Sequence, residues 1–139
     1  MLRSMVLPSV LCLLCGVARA ETVPFSATLA GASEVPPKTT AGAGAATASL
    51  DTATKMLTYN VEYSGLSGPA TAAHFHGPAE PGANAGVVVP FPTPANPIKG
   101  TATLTDAQMS DLMAGKWYAN VHTAANPAGE IRGQMTRAK

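Results

Sequence analysis

Residues 117–136 have the sequence WYANVHTAANPAGEIRGQMT, which is typical of a β-hairpin and decides the fold class. The pattern predicts strands at 117–123 and 130–136, joined by a turn at 126–129. The proline of the turn suits the second position of a type I turn, and Gly129 suits the left-handed position that follows in a three-residue hairpin loop. We therefore predict an antiparallel hairpin in which Gly129 has a positive φ.

The predicted turn also sets a register for the two strands. It pairs Asn126 with Glu130, so that His122 lies opposite Gln134. Side chains alternate between the two faces of a strand, and in this register the polar residues fall on one face. The polar face holds Tyr118, Asn120, His122, Glu130, Arg132 and Gln134. The opposite, apolar face holds Trp117, Ala119, Val121, Ile131 and Met135.

Further strands are predicted where apolar and polar residues alternate between turn signals. The segments concerned are Thr22 to Leu29, Gly44 to Leu50, Lys55 to Tyr63, Thr71 to His76, Val87 to Val89 and Ile98 to Leu104. One short helix is predicted after Thr105, because Thr105 and Gln108 form a capping box and Gly115 suits the position just past a helix end. The sequence therefore predicts an all-β, antiparallel protein with one short helix.

The composition agrees with a loop-rich β protein. The chain has 139 residues, enough for one domain, and its 12 prolines and 13 glycines argue against a helix bundle. Charged residues make up only 12% of the chain and the net charge is +1, so no basic field indicates a nucleic-acid partner.

The first 20 residues are predicted to be a signal peptide. Arg3 gives a short positive region, an apolar stretch runs from Met5 to Val17, and Ala18-Arg19-Ala20 fits the cleavage pattern before Glu21. We therefore predict a domain at 21–139, exported to the periplasm or secreted.

The sequence argues against two alternative interpretations of this leader. A transmembrane anchor needs about 20 apolar residues, and the stretch is shorter than that, so we expect no stable membrane span after cleavage. A lipoprotein would need a lipidated Cys12 or Cys15, but leucines precede both residues. Both cysteines leave with the signal peptide, so the mature domain would have neither a disulfide nor a thiolate ligand for a metal.

The three histidines are the candidate metal ligands. His74 and His76 are two residues apart and therefore point to the same side of a strand, while Phe75 points to the other. His122 lies on the polar face of the hairpin. Three imidazoles without a thiolate suit copper, zinc or iron, and an open fourth position is typical of catalytic sites. The alternative is that all three histidines lie on a solvated sheet face without a ligand.

Arg132 also has two interpretations on that polar face. In the first, Arg132 forms a surface ion pair with the nearby Glu130. In the second, its positive charge attracts a small anion to the metal.

Several motifs resemble the CHRD domain family over about residues 25–136. They are Glu34-Val35-Pro36-Pro37, His74-Phe75-His76-Gly77-Pro78-Ala79, Leu104-Thr105, Leu112-Met113-Ala114-Gly115, Tyr118-Ala119-Asn120-Val121-His122-Thr123 and Asn126-Pro127-Ala128-Gly129-Glu130-Ile131-Arg132-Gly133-Gln134. The family takes its name from chordin, an extracellular regulator that binds growth factors, and its microbial members are mostly single exported domains. The resemblance implies a Greek-key β-sandwich. It does not imply growth-factor binding, because the Cys-rich modules of chordin are absent.

The predicted function is an exported domain that binds a transition metal, with copper favoured and iron or zinc possible, through His74, His76 and His122. The two histidines of one strand with a third from elsewhere also resemble the copper site of Cu,Zn superoxide dismutases. That similarity implies dismutation of superoxide, with Arg132 as the catalytic residue that attracts a small anion or oxygen species. The alternative is a non-catalytic module outside the cytoplasm that binds another protein or has a structural role.

Overall fold

The structure is a computed structural model that describes residues 19–139, so the predicted signal peptide lies almost entirely outside it. Nine strands and one α-helix are present in this range. In chain order they are β1 (Thr22–Ala30), β2 (Ala43–Asp51), β3 (Met56–Ser64), β4 (Ala70–His76), β5 (Val87–Pro90), β6 (Ile98–Thr103), α1 (Asp106–Met113), β7 (Tyr118–Thr123), β8 (Ile131–Gln134) and β9 (Thr136–Arg137). Each predicted strand is found, and the last one is interrupted at Met135.

The strands form one antiparallel sheet in the order β5-β4-β7-β8-β1-β2-β3-β6, with β9 beside β1. The sheet curves until it nearly closes. Across the gap the ring of Tyr59 on β3 contacts Phe75 on β4, with ring centroids 5.4 Å apart. The fold is therefore all-β and sandwich-like, as predicted.

The core consists of the inward-facing residues of every long strand. Alternation is clear in β1, where Val23, Phe25 and Leu29 are buried, and in β3, where Leu57 and Val61 are buried. β2 lies between β1 and β3 in the sheet, and its small buried side chains, Ala46 and Ala48, leave room for these larger residues. This alternation is the reason that the sequence pattern locates the strands correctly.

The helix begins and ends where the sequence predicts. The Thr105 hydroxyl accepts a hydrogen bond from the Gln108 backbone N–H, and the Gln108 side chain accepts one from the Thr105 N–H. Gly115 follows the helix with a φ of +74°. Leu112 anchors the helix in the core.

No helix within residues 19–139 is both long and apolar enough to cross a membrane.

The predicted register of the hairpin is wrong by four residues of one strand relative to the other. Tyr118, not His122, lies opposite Gln134, and Asn120 lies opposite Arg132. The reason is a longer connection: Thr123 and Asn126 exchange backbone hydrogen bonds around one turn, and a second turn then ends at Gly129. A shift by an even number of residues, here four, keeps every side chain on its face, so the polar and apolar faces are as predicted.

Gly129 has the predicted positive φ, at +126°. A Cβ atom there would also lie 2.6 Å from Oε1 of Glu34. We therefore expect Gly129→Val to lower the free energy of unfolding by about 2 kcal/mol or more. Chemical denaturation measures this loss. The control is Gly68→Val, because a Cβ atom at Gly68 meets nothing within 4 Å. Equal stability of the two variants would contradict the assigned turn.

Candidate metal centre

The pairing of β4 with β7 brings the three histidines together. In this antiparallel pair His74 lies opposite Asn120, and His122 lies opposite Ala72. His74 and His122 are therefore diagonal neighbours on one face of the sheet, and His76 follows one step along the same face. The error in the β7–β8 register does not affect this arrangement, because it depends only on β4 and β7.

The ring nitrogens converge on one point. Nδ1 of His74 lies 3.2 Å from Nε2 of His122. One nitrogen from each of the three rings lies within 4.8 Å of the other two. An ion with four tetrahedral bonds of 2.0–2.1 Å places its ligand atoms about 3.4 Å apart, so small rotations of the rings are enough to close the remaining gap.

Two backbone carbonyls fix the orientation of the rings. Nδ1 of His122 lies 3.0 Å from the Pro127 carbonyl oxygen, and Nδ1 of His76 lies 3.0 Å from that of Ala85. A carbonyl oxygen only accepts, so both Nδ1 atoms donate and both Nε2 atoms keep their lone pairs. Nε2 of His76 is buried and has no hydrogen-bond partner among residues 19–139. A buried lone pair aimed at two other imidazoles is what a metal ligand requires.

The surroundings of His74 and His76 favour their neutral forms. Burial lowers the pKa of His74, and the neighbouring His122 and His76 lower it further. Burial is also the main cause of the lowered pKa of His76, against which its hydrogen bond to Ala85 acts.

A stack of three side chains links Arg132 to His76. The ring of Tyr118 is parallel to that of His76, with centroids 4.8 Å apart. The guanidinium carbon of Arg132 lies 3.4 Å from the centre of the Tyr118 ring. Arg132 therefore approaches the histidines through Tyr118, and its cation–π contact holds the stack in place.

The polar face of the hairpin is buried, contrary to the hypothesis of a solvated face. The segments 31–40 and 77–86 cross it, and Asn120 and Arg132 are each only 2% exposed. Arg132 donates hydrogen bonds to Asn84 Oδ1 at 2.8 Å and to the Ala83 carbonyl. Gln134 donates to the carbonyls of Ala79 and Gly115. These bonds attach the covering segments to the sheet.

Glu130 does not pair with Arg132, so the surface ion-pair interpretation is wrong. The carboxylate of Glu130 is fully buried and accepts hydrogen bonds from the hydroxyls of Thr40, Ser67 and Thr123 at 2.6 Å each. It also accepts one from the Ser67 backbone N–H at 2.8 Å. Burial alone would raise the pKa of Glu130, but these hydrogen bonds outweigh burial and lower the pKa to about 2.

A pocket of about 210 Å³ lies beside His76, and Tyr118, Arg132, Asn84 and Glu34 contribute to its walls. A second pocket of about 440 Å³ shares Glu34 and Arg132 with it. Glu34 belongs to a family motif in the sequence, but no local pattern there indicates that it is a site residue. Glu34 is 5% exposed and accepts a hydrogen bond from the Asn120 side chain. Burial raises the pKa of Glu34 to about 7, although Arg132 and Asn120 lower it.

Comparison with known proteins supports the predicted family. The family model of the CHRD domain matches residues 25–135, which includes all three histidines, Glu34 and Arg132. No curated protein and no solved structure matches the chain significantly. From the extent of the family match, the chain belongs to the CHRD domain family.

Proposed function

We propose that this CHRD domain binds one transition-metal ion through His74, His76 and His122. The observation that carries the proposal is the convergence of three ring nitrogens within 4.8 Å of one another. The unpartnered, buried Nε2 of His76 supports it, because a buried polar atom without a partner costs free energy that a bound ion would recover. The carbonyls that hold His76 and His122 are the kind of outer support that metal-binding histidines usually have.

Copper is the metal that we favour, with iron and zinc as alternatives. Imidazole nitrogen suits all three metals, and no cysteine lies within residues 21–139 to select for a thiolate-bound ion. Among divalent ions of the first transition row, a site of this kind binds copper most tightly. Three ligands would leave a fourth position for a small molecule.

Metal analysis of the protein without a histidine tag tests the proposal. We expect one copper ion per chain after incubation with excess copper and removal of the unbound metal. Competition with zinc and iron then orders the three affinities. A protein that retains no metal under these conditions would contradict the proposal and favour the non-catalytic binding or structural module.

We further propose a redox role like that of superoxide dismutases. Copper in this position would supply one-electron chemistry, and dismutation converts two superoxide ions and two protons into dioxygen and hydrogen peroxide. Arg132 supports this proposal because its positive charge lines the pocket next to His76. In this role Arg132 attracts the anion, while Tyr118 keeps the imidazole of His76 and the guanidinium of Arg132 in place.

We also propose that the domain acts outside the cytoplasm, in the periplasm or after secretion. The cleavage pattern Ala18-Arg19-Ala20 supports export. A domain at 21–139 would have no cysteine, so an oxidising compartment would not change its covalent structure.

A further inference from the structure

We propose that the pocket beside His76 binds a small monovalent anion and that Glu34 controls this binding. The anion enters when the carboxyl group of Glu34 carries a proton, and it is excluded when that group is ionised. The use of the anion in a reaction rests on the proposed function, whereas its binding to the pocket can be measured with or without a metal.

The first observation is a pair of opposite charges that share a pocket without touching. Glu34 is 5% exposed and Arg132 is 2% exposed, and both line the same two pockets. Yet no nitrogen of Arg132 lies within 4.0 Å of a Glu34 carboxylate oxygen, since the ion pairs of residues 19–139 involve other side chains. Buried opposite charges normally pair, so the gap between them is a place for a polar ligand.

The second observation is that both groups have hydrogen-bonding capacity left. Arg132 has five N–H donors, and its two hydrogen bonds to Asn84 and Ala83 use two of them. Oε1 of Glu34 accepts from Asn120, whereas Oε2 has no hydrogen-bond donor in the described part of the chain. Asn120 and Gly129 hold the carboxyl group from one side, because its oxygens occupy the space that a Cβ atom at Gly129 would need.

The charge of Glu34 decides what the pocket attracts. An ionised Glu34 cancels the charge of Arg132 and repels an anion, while a protonated Glu34 leaves the charge of Arg132 free and offers an O–H donor. The charged or titratable groups around Glu34 are Arg132, Lys38 and, across the pocket, His76 and Tyr118. The raised pKa of Glu34, about 7, places this change of charge in the neutral range.

The pocket beside His76 has room for a small ion. About 210 Å³ holds an ion of three or four heavy atoms, such as azide, formate or hydrogencarbonate, together with water. When Glu34 is ionised, each anion that binds is accompanied by one proton. The anion enters the pocket, and the proton passes from solvent to the carboxylate oxygen of Glu34. By linkage, the anion in turn raises the pKa of Glu34.

Calorimetric titration with sodium azide tests the proposal on metal-free and copper-loaded protein. For the wild type, we expect the affinity for azide to fall at least about tenfold between pH 6 and pH 8.5, because binding is linked to one proton. Glu34→Gln keeps a neutral hydrogen-bond donor in place, so its affinity for azide should change less than about threefold over this range. Glu62→Gln is the matched control, since Glu62 is an exposed glutamate on β3, and it should behave like the wild type.

The number of protons taken up per bound azide can be measured on the wild type alone, so this part of the test depends on no variant. At pH 8, titrations in two buffers of different ionisation enthalpy should show uptake of about half a proton or more per azide. No proton uptake, the same pH dependence in Glu34→Gln as in the wild type, or no azide binding at pH 6 would each overturn the inference. A protein that takes up no metal but binds azide in this way would contradict only the proposed metal site. A protein that binds copper but shows no linked azide binding would contradict only the role of Glu34.

Discussion

Replacing Glu130 by glutamine is expected to lower the free energy of unfolding by about 3 kcal/mol at pH 7. The carboxylate of Glu130 is fully buried and accepts four hydrogen bonds from Thr40, Ser67 and Thr123. Glutamine has one acceptor oxygen in place of two, so at least one of these donors loses its partner in the interior. Urea unfolding of both proteins measures the difference.

The same carboxylate makes the stability of the domain depend on pH. The pKa of Glu130 falls from 4.5 to about 2 in the folded protein, so the contribution of Glu130 is fully present above pH 4.5. It is lost as the pH falls from 4.5 towards 2, because the unfolded chain then binds a proton that the folded protein does not. Glu130→Gln should therefore flatten the acid side of the stability curve.

The exposed Glu62 provides the control for this prediction as well. Glu62→Gln should leave the free energy of unfolding within about 0.5 kcal/mol of the wild type, which is usual for surface substitutions. Equal stability of Glu130→Gln and Glu62→Gln at pH 7 would contradict the prediction. It would mean that the hydrogen bonds of Glu130 to Thr40, Ser67 and Thr123 do not stabilise the fold.

His122→Ala is expected to weaken metal binding by at least about 100-fold, because even the loss of an outer support costs 10–100-fold. His122 is the ligand that β7 contributes, and its Nε2 lies 3.2 Å from Nδ1 of His74. His74 and His76 alone would hold the ion from one strand. Competition of the apo-protein with a chromogenic chelator measures the change in affinity.

The variant should remain folded but become less stable. His122 is 9% exposed and donates a hydrogen bond to Pro127, so its removal leaves a small cavity and an unpaired carbonyl. We expect a cost of about 1–2 kcal/mol, which near-ultraviolet circular dichroism and thermal unfolding can check. Thr71→Ala, at an exposed position on β4, is the control and should bind metal like the wild type. Unchanged affinity in His122→Ala would refute the three-histidine site.

The strands and their faces could be predicted because burial imposes a period of two on the sequence. Leu57 and Val61 are buried as this period requires, and the helix follows from the local chemistry of Thr105 and Gln108. The hairpin register could not be predicted in this way. A shift by four residues leaves Asn120 and Arg132 on the same face, so the division of side chains into a polar and an apolar face does not detect it.

The candidate site could be predicted only in part. The spacing of His74 and His76 places them on one side of a strand, but the adjacency of β4 and β7 arises from the sheet order, which no local pattern specifies. The covering segments 31–40 and 77–86 have no periodicity, so the burial of the polar face was not foreseen. Glu34 was missed for the same reason, because its partner Asn120 is 86 positions away in sequence.

The place of β8 in the sheet limits how the chain can fold. β8 is formed by residues 131–134, near the end of the chain, yet it lies between β7 and β1 in the middle of the sheet. Its contact with β1 joins Ala30 to Arg132. Contacts that distant in sequence slow folding, because a long loop must close before they form. Without β8 the hydrogen-bonded order leaves β5-β4-β7 apart from β1-β2-β3-β6, so the sheet can become continuous only after residues 131–134 have been synthesised.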